Sequence, residues 1–202
     1  MWINPSSSKW LKPISWGKIE PMLWTKIVSL DEKITGALRL KDSGSKIRPV
    51  GIFFAHSGDS WFILAVLFIV WLIKKDFWHH TMAVMAASTI ALAVVVLIIK
   101  FTFKRRRPEG EWGAIYRKSD PHSFPSGHAA RTAMLATLAA LTGPLWFAVA
   151  LIIWAPLVSL ARVAMGVHYF SDVLAGFVLG VLTAFGFYAL APIVSAWLPF
   201  LF

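Results

Sequence analysis

The 202-residue chain is 57% hydrophobic and only 15% charged, and its mean hydropathy of +0.66 excludes an ordinary soluble domain. Twenty Lys and Arg against ten Asp and Glu leave a net charge of +10, which calls for an anionic partner. The lack of cysteine excludes disulfides, thiolate catalysis and cysteine-ligated metal centres.

Residues 1–24 carry Pro5, Pro13 and Pro21 among scattered lysines, without the compact apolar stretch of a secretory leader, so the first membrane span is expected to target the chain. Trp2, Trp10, Trp16 and Trp24 alternate with Lys9, Lys12, Lys18 and Lys26, a pattern suited to rings at headgroup depth and amines on lipid phosphate. Between Leu23 and Leu40, Ile27, Leu30, Ile34 and Leu38 recur at helical spacing and predict an amphipathic helix on the membrane surface. Asp42-Ser43-Gly44-Ser45 breaks it. No internal repeat or second globular domain is visible: 1–56 reads as an interfacial amphipathic segment and 57–202 as a transmembrane domain.

Apolar stretches follow at 57–74, 80–99, 129–142, 144–161 and 173–190. Each is near the ~17–25 residues needed to cross a bilayer as helix, so the fold class is an all-α polytopic transmembrane bundle of five spans. The first is the weakest, because Trp61–Ile73 rises only about 20 Å and must borrow a region holding His56 and Asp59. It is expected to tilt, thin the bilayer or begin as a re-entrant turn. A transporter would place polar groups at mid-span, whereas here they gather at the ends of the segments. That placement also assigns the positive charge to anionic headgroups and not to nucleic acid.

Four polar clusters stand at those ends. Lys100 closes a span and is followed by Lys104, Arg105, Arg106 and Arg107 before Pro108, which is expected to stop the helix. Such a run is also an ordinary basic membrane flank. Yet Lys100 and Arg107 are seven residues apart, about two helical turns, and can face one oxyanion. In Pro125-Ser126-Gly127-His128, Ser126 sits where a helix begins, Gly127 permits close approach to its amides, and His128 can exchange a proton near neutral pH. His168 and Asp172, four apart, allow the carboxylate to orient one ring nitrogen and free the other. Arg162 lies off that face unless Gly166 breaks the helix; an Arg162–Asp172 ion pair of purely structural role is the alternative.

Together these groups suit phosphoryl transfer through a phosphohistidine. His168 would attack phosphorus, Asp172 would hold its tautomer, and His128 would protonate the leaving oxygen and then activate water. Lys100, Arg107, Arg162, Ser126 and the Gly127 amide would bind the phosphate oxygens. No carboxylate set suits magnesium, so neither metal nor other cofactor is expected.

At these residues the chain closely resembles the type 2 phosphatidic acid phosphatase (PAP2) family, membrane lipid phosphatases related to vanadium haloperoxidases. Lys100 to Arg107-Pro108 is similar to its first motif, Pro125-Ser126-Gly127-His128 to its second, and Arg162 through His168 to Asp172 to its third. The resemblance covers about residues 55–190 and implies the same roles: His168 nucleophile, His128 acid and base, Asp172 orienter, and Lys100, Arg107, Ser126, Gly127 and Arg162 phosphate binders. One departure is Ala161, where the family usually has serine; a missing neutral hydrogen bond costs about 1 kcal/mol.

The resemblance further implies six helices and an extracytoplasmic site, against the five spans counted here. Nine Lys and Arg precede Ser60 and seven lie between Lys100 and Lys118, so the positive-inside rule alone would turn the site to the cytoplasm. Because catalysis and headgroup binding account for those bases, an extracytoplasmic site in the cell (inner) membrane is expected. Phosphatidate, phosphatidylglycerophosphate, diacylglycerol pyrophosphate and polyprenyl mono- or diphosphates are the candidate substrates, with phosphotransfer to a second acceptor as the alternative to hydrolysis. A monomer is expected, although Gly176 and Gly180 at four-residue spacing leave a dimer open.

Overall fold

The structure, a computed structural model, describes residues 21–40, 45–109 and 120–201. Seven helices carry the described chain: α1 (Pro21–Leu38), α2 (Arg48–Ser57), α3 (Ser60–Ile73), α4 (Phe77–Phe103), α5 (Gly127–Thr142), α6 (Leu145–Ala164) and α7 (Phe170–Trp197). Local chemistry sets several of their ends. Asp76 caps α4 by accepting the Trp78 N–H at 3.0 Å, Ser126 caps α5, and Pro49 opens α2 where its missing N–H goes unmissed.

Three helices, α4, α6 and α7, are long and apolar enough to cross a membrane, and α2 with α3 make a fourth crossing if the pair, bent by 59° at Gly58–Asp59, is one span. All five apolar segments expected from the sequence are helical; α5, with only 16 residues and about 24 Å of rise, falls short of that length and runs through the inside of the protein. It is the central helix, packed most extensively on α7 and α6. Ala130, Met134, Leu135, Leu138 and Ala139 join Met82, Met85, Leu92 and Val96 of α4 and Ile63 and Leu67 of α3 in the main core. The small residues of α5 let its neighbours come close. A Cβ on Gly176 would strike the Ser126 carbonyl, and one on Gly180 the Ala130 carbonyl, so this glycine pair serves contact within the chain.

Outward faces carry apolar side chains: Ile90, Val94, Leu97 and Phe101 along α4, Leu174, Leu182 and Phe185 along α7. A wall of this extent is intolerable in water and expected against lipid. The chain is a multi-pass membrane protein. Helix α1 shows the same inversion, exposing Ile27, Leu30 and Leu38 while burying Asp31 and Thr35. The expected interfacial residues Trp2, Trp10 and Trp16 and the break at Asp42–Gly44 lie outside the described residues.

Helix direction alternates so that one end of the bundle collects the start of α3, the end of α4, the start of α5, the end of α6 and the start of α7. The polar clusters therefore converge by topology. Lys74 and Lys75, between α3 and α4, mark the opposite end.

Candidate active site

The first cluster converges by a different geometry from the continuous helix expected through Arg107. Helix α4 stops at Phe103, because Lys104 adopts a left-handed conformation (φ 50°) and its N–H closes on the Lys100 carbonyl at 2.9 Å. The chain then turns back extended, and Arg107 returns to the height of Lys100. Both cations bind one carboxylate: Asp120 Oδ2 accepts from Lys100 Nζ and, at 2.7 Å, from Arg107 Nη2. Burial favours a neutral Asp120, but Lys100 and Arg107 outweigh it and hold the carboxyl below its usual range.

Helix α6 ends at Ala164, and Gly166, at φ +68°, turns the chain toward His168. The expected glycine break thus brings Arg162 and His168 to one cavity. His168 precedes α7 instead of lying on it, and Asp172 sits in the first turn of that helix. Their side chains approach at 3.7 Å, too long for a hydrogen bond, between His168 Nδ1 and Asp172 Oδ2. The other nitrogen is more informative. Arg107 Nη1 lies 3.1 Å from His168 Nε2, and because guanidinium can only donate, Nε2 is an unprotonated acceptor and the ring proton sits on Nδ1, toward Asp172. Burial first, then Arg107, Arg162 and Lys100, keeps this imidazole well below the usual histidine range.

Asp172 is fully buried and held from three directions. Its Oδ1 accepts from Arg105 Nη1 at 2.7 Å, its Oδ2 accepts the Tyr169 N–H at 2.9 Å, and its main-chain carbonyl accepts the Ser126 N–H at 2.9 Å. The last bond ties the second cluster to the third. Asp172 pairs with Arg105 and not with Arg162, the structural alternative weighed from the sequence, while Arg162 Nη1 donates to the Ala55 carbonyl of α2 at 3.2 Å. Arg105 also reaches Asp31 Oδ2 at 2.7 Å and lies over the Tyr169 ring. Asp31 in turn receives the Ser171 N–H, and Thr35 the Phe170 N–H, so α1 caps the start of α7.

A cavity of about 270 Å³ opens among these groups. Its polar wall holds Lys100, Arg107, Arg162, His168, His128 and Gly127; its apolar wall is Leu92, Ala93, Val96 and Leu97 of α4. Ser126 and Asp172 stand behind the wall. The Ser126 hydroxyl is buried and faces the Ala129 N–H at 3.5 Å as a helix cap. Ala161 packs with Ala55 and Met165, filling its place with an apolar contact. Among the described residues no group of three or more His, Asp or Glu converges as a metal cradle.

Four site residues escaped the sequence. Asp120 and Ser60 carry no local pattern. Arg105 was hidden in a basic run, and Arg131 stands one turn after His128 in an apolar helix, a signal that intramembrane charge alone could have raised. The Arg131 guanidinium lines the cavity and donates to the Gly58 carbonyl at 2.5 Å.

A family model described as the PAP2 superfamily matches residues 82–194, which include all three motifs. The chain belongs to the PAP2 superfamily. Among curated proteins, an undecaprenyl-diphosphatase of Sulfolobus acidocaldarius is 36% identical over 100 residues, 46% of this chain and 48% of that relative, so the match spans about half the relative's length. A decaprenylphosphoryl-5-phosphoribose phosphatase of Mycobacterium tuberculosis is 34% identical over 130 residues, 62% of this chain and 70% of the relative. The fold is that of a transmembrane PAP2-type phosphatidylglycerolphosphate phosphatase from Bacillus subtilis, at TM-score 0.67 and 24% identity over 84% of this chain and 88% of the other. Aquifex aeolicus LpxE aligns at TM-score 0.64 and 21% identity over 79% and 95%.

Proposed function

We propose that the protein hydrolyses a terminal phosphate from a membrane lipid through a phosphohistidine on His168, without a metal ion. The observation that carries this reading is the His168 Nε2 lone pair facing Arg107, in a cavity shared with Lys100, Arg162 and His128. A phosphate entering there takes over Lys100 and Arg107 from Asp120. Nε2 attacks phosphorus in line as the ester bond breaks, and its electrons pass to the leaving oxygen, which takes a proton from His128. His128 then removes a proton from water as the water oxygen bonds to phosphorus; the P–N bond breaks and returns its pair to Nε2. Lys100, Arg107, Arg162 and the Gly127 amide neutralise the equatorial oxygens. Asp172 supports the Nδ1 proton and closes its 3.7 Å gap as the ring becomes cationic.

Leu92, Ala93, Val96 and Leu97 suit the first carbons of a lipid tail, and both curated relatives act, by their names, on polyprenyl carriers. We therefore favour a polyprenyl phosphate or diphosphate over phosphatidylglycerophosphate or phosphatidate. The exposed apolar side of α1 beside the site suits a helix lying in the lipid interface. The test is phosphate release in EDTA from nanodiscs carrying each lipid, with wild type beside His168→Ala. Release by wild type, greatest for the polyprenyl lipid and abolished in the folded variant, is expected. Equal release by the variant would remove His168 as nucleophile.

A further inference from the structure

The bend between α2 and α3 places a carboxylate outside the three motifs against the imidazole of His128. Asp59 is the N-terminal capping residue of α3, a position where aspartate ordinarily accepts an N–H of its own helix, yet here its side chain makes no capping bond. It reaches across to α5 instead. Asp59 Oδ1 accepts from His128 Nε2 at 2.7 Å, and Oδ2 lies 3.1 Å from His56 Nδ1 on α2. The bend itself is pinned: Arg131 Nη1 donates to the Gly58 carbonyl, and a Cβ on Gly58 would meet Val158 Cγ1 at 2.7 Å and His128 Cδ2 at 3.2 Å. Asp59 lies outside the residues 82–194 matched by the family model.

We propose that Asp59 is a positioning residue for the acid–base work of His128, fixing the ring through its Nε2 proton and presenting Nδ1 to the lipid oxygen. This rests on the phosphatase reading above. An ionised carboxylate can only accept, so His128 keeps a proton on Nε2 throughout. In the first half-reaction the doubly protonated ring gives its Nδ1 proton to the leaving oxygen while that oxygen takes the electrons of the broken P–O bond. In the second, Nδ1 takes a proton from water as the water oxygen bonds to phosphorus and the P–N bond of His168 breaks. The charged groups facing His128 are Asp59, with His56 behind it, Arg131 on its own helix and Arg162 from α6. Asp59 is the carboxylate among them, and it favours the imidazolium against two guanidinium groups.

The leaving group tests this. An alkyl phosphate needs a proton on its departing oxygen, whereas p-nitrophenyl phosphate releases a stable phenolate unaided. Asp59→Asn is expected to lower kcat/KM for octyl phosphate about 10²-fold and for p-nitrophenyl phosphate by no more than roughly threefold. The basic limb of the octyl phosphate profile is expected to move to lower pH. Asp59→Glu, which keeps the charge, should hold the alkyl-to-aryl ratio near that of wild type. Equal losses on both esters, no loss on either, or a Glu variant matching Asp59→Asn (or His128→Ala, should the Asn variant fail to fold) would overturn the proposal while leaving the phosphatase reading intact. Wild type inert toward both esters, or activity surviving His168→Ala, would overturn both.

Discussion

Arg107 settles how His168 is protonated, and with it the acid side of the pH profile. Burial and three cations lower the pKa of this histidine, so the neutral nucleophile persists at pH values where a free histidine would be charged. Protonation would remove the attacking pair and add a further cation to the cavity. We expect kcat/KM, corrected for ionisation of the substrate, to keep its plateau below the ordinary histidine pKa of 6.5; a fall centred at 6.5 would contradict it. Arg105→Gln is expected to lower kcat more than it raises KM. It should also cost about 2–3 kcal/mol, because Asp172 stays buried without its partner while the partly open Arg105 is the group removed. Thermal unfolding in detergent beside phosphate release measures both. The sequence motifs mark Lys100 with Arg107 and His168 with Asp172, but the helical spacing read from them does not carry the geometry: a left-handed turn at Lys104 returns Arg107 to Lys100 and His168 precedes α7, and nothing in a run of bases marks where the helix stops. Arg105 shows the same limit: its flanking charges look alike in sequence and differ only in what α1 and α7 place beside them.

At the scale of elements, α5 decides the packing. Its alanines let α7 approach until Gly176 and Gly180 meet the backbone of Ser126 and Ala130, the contact that also delivers the Asp172 carbonyl to the Ser126 N–H. Gly180→Val is expected to force α5 and α7 apart at a cost of about 3 kcal/mol, read as a lowered unfolding temperature, with activity falling in the surviving folded protein. A variant of unchanged stability would show that the helices are not held by this contact. Hydrophobic runs announced all five segments as helices. They did not separate α5 from the lipid-facing helices, because an alanine-rich run of 16 residues has much the same hydropathy whether protein or lipid surrounds it. The α2–α3 bend was foreshadowed by His56 and Asp59 within an apolar stretch; its angle depends on Gly58 packing against α6, which spacing alone does not encode.

Across the whole molecule, chemistry is confined to one end of an apolar bundle, and α1 joins that end with its polar face turned inward. A lipid can therefore keep its tail in the bilayer along α4 while its phosphate enters the cation cluster. Basic residues crowd the site end, yet several are engaged in the cavity or in clamps such as Arg105–Asp31, which weakens them as topological signals. We expect an extracytoplasmic site. In a chain free of cysteine, Glu109→Cys should react with an impermeant maleimide added to intact cells, and Lys75→Cys only after lysis; the reverse pattern would place the site in the cytoplasm. The central claim, a covalent phosphohistidine, is tested most directly by the stereochemistry at phosphorus, using a lipid phosphorothioate monoester made chiral by sulfur and two oxygen isotopes and hydrolysed in water of the third isotope. Two successive in-line displacements, on to His168 and off again, predict overall retention, and inversion would mean that water attacks the lipid phosphate directly.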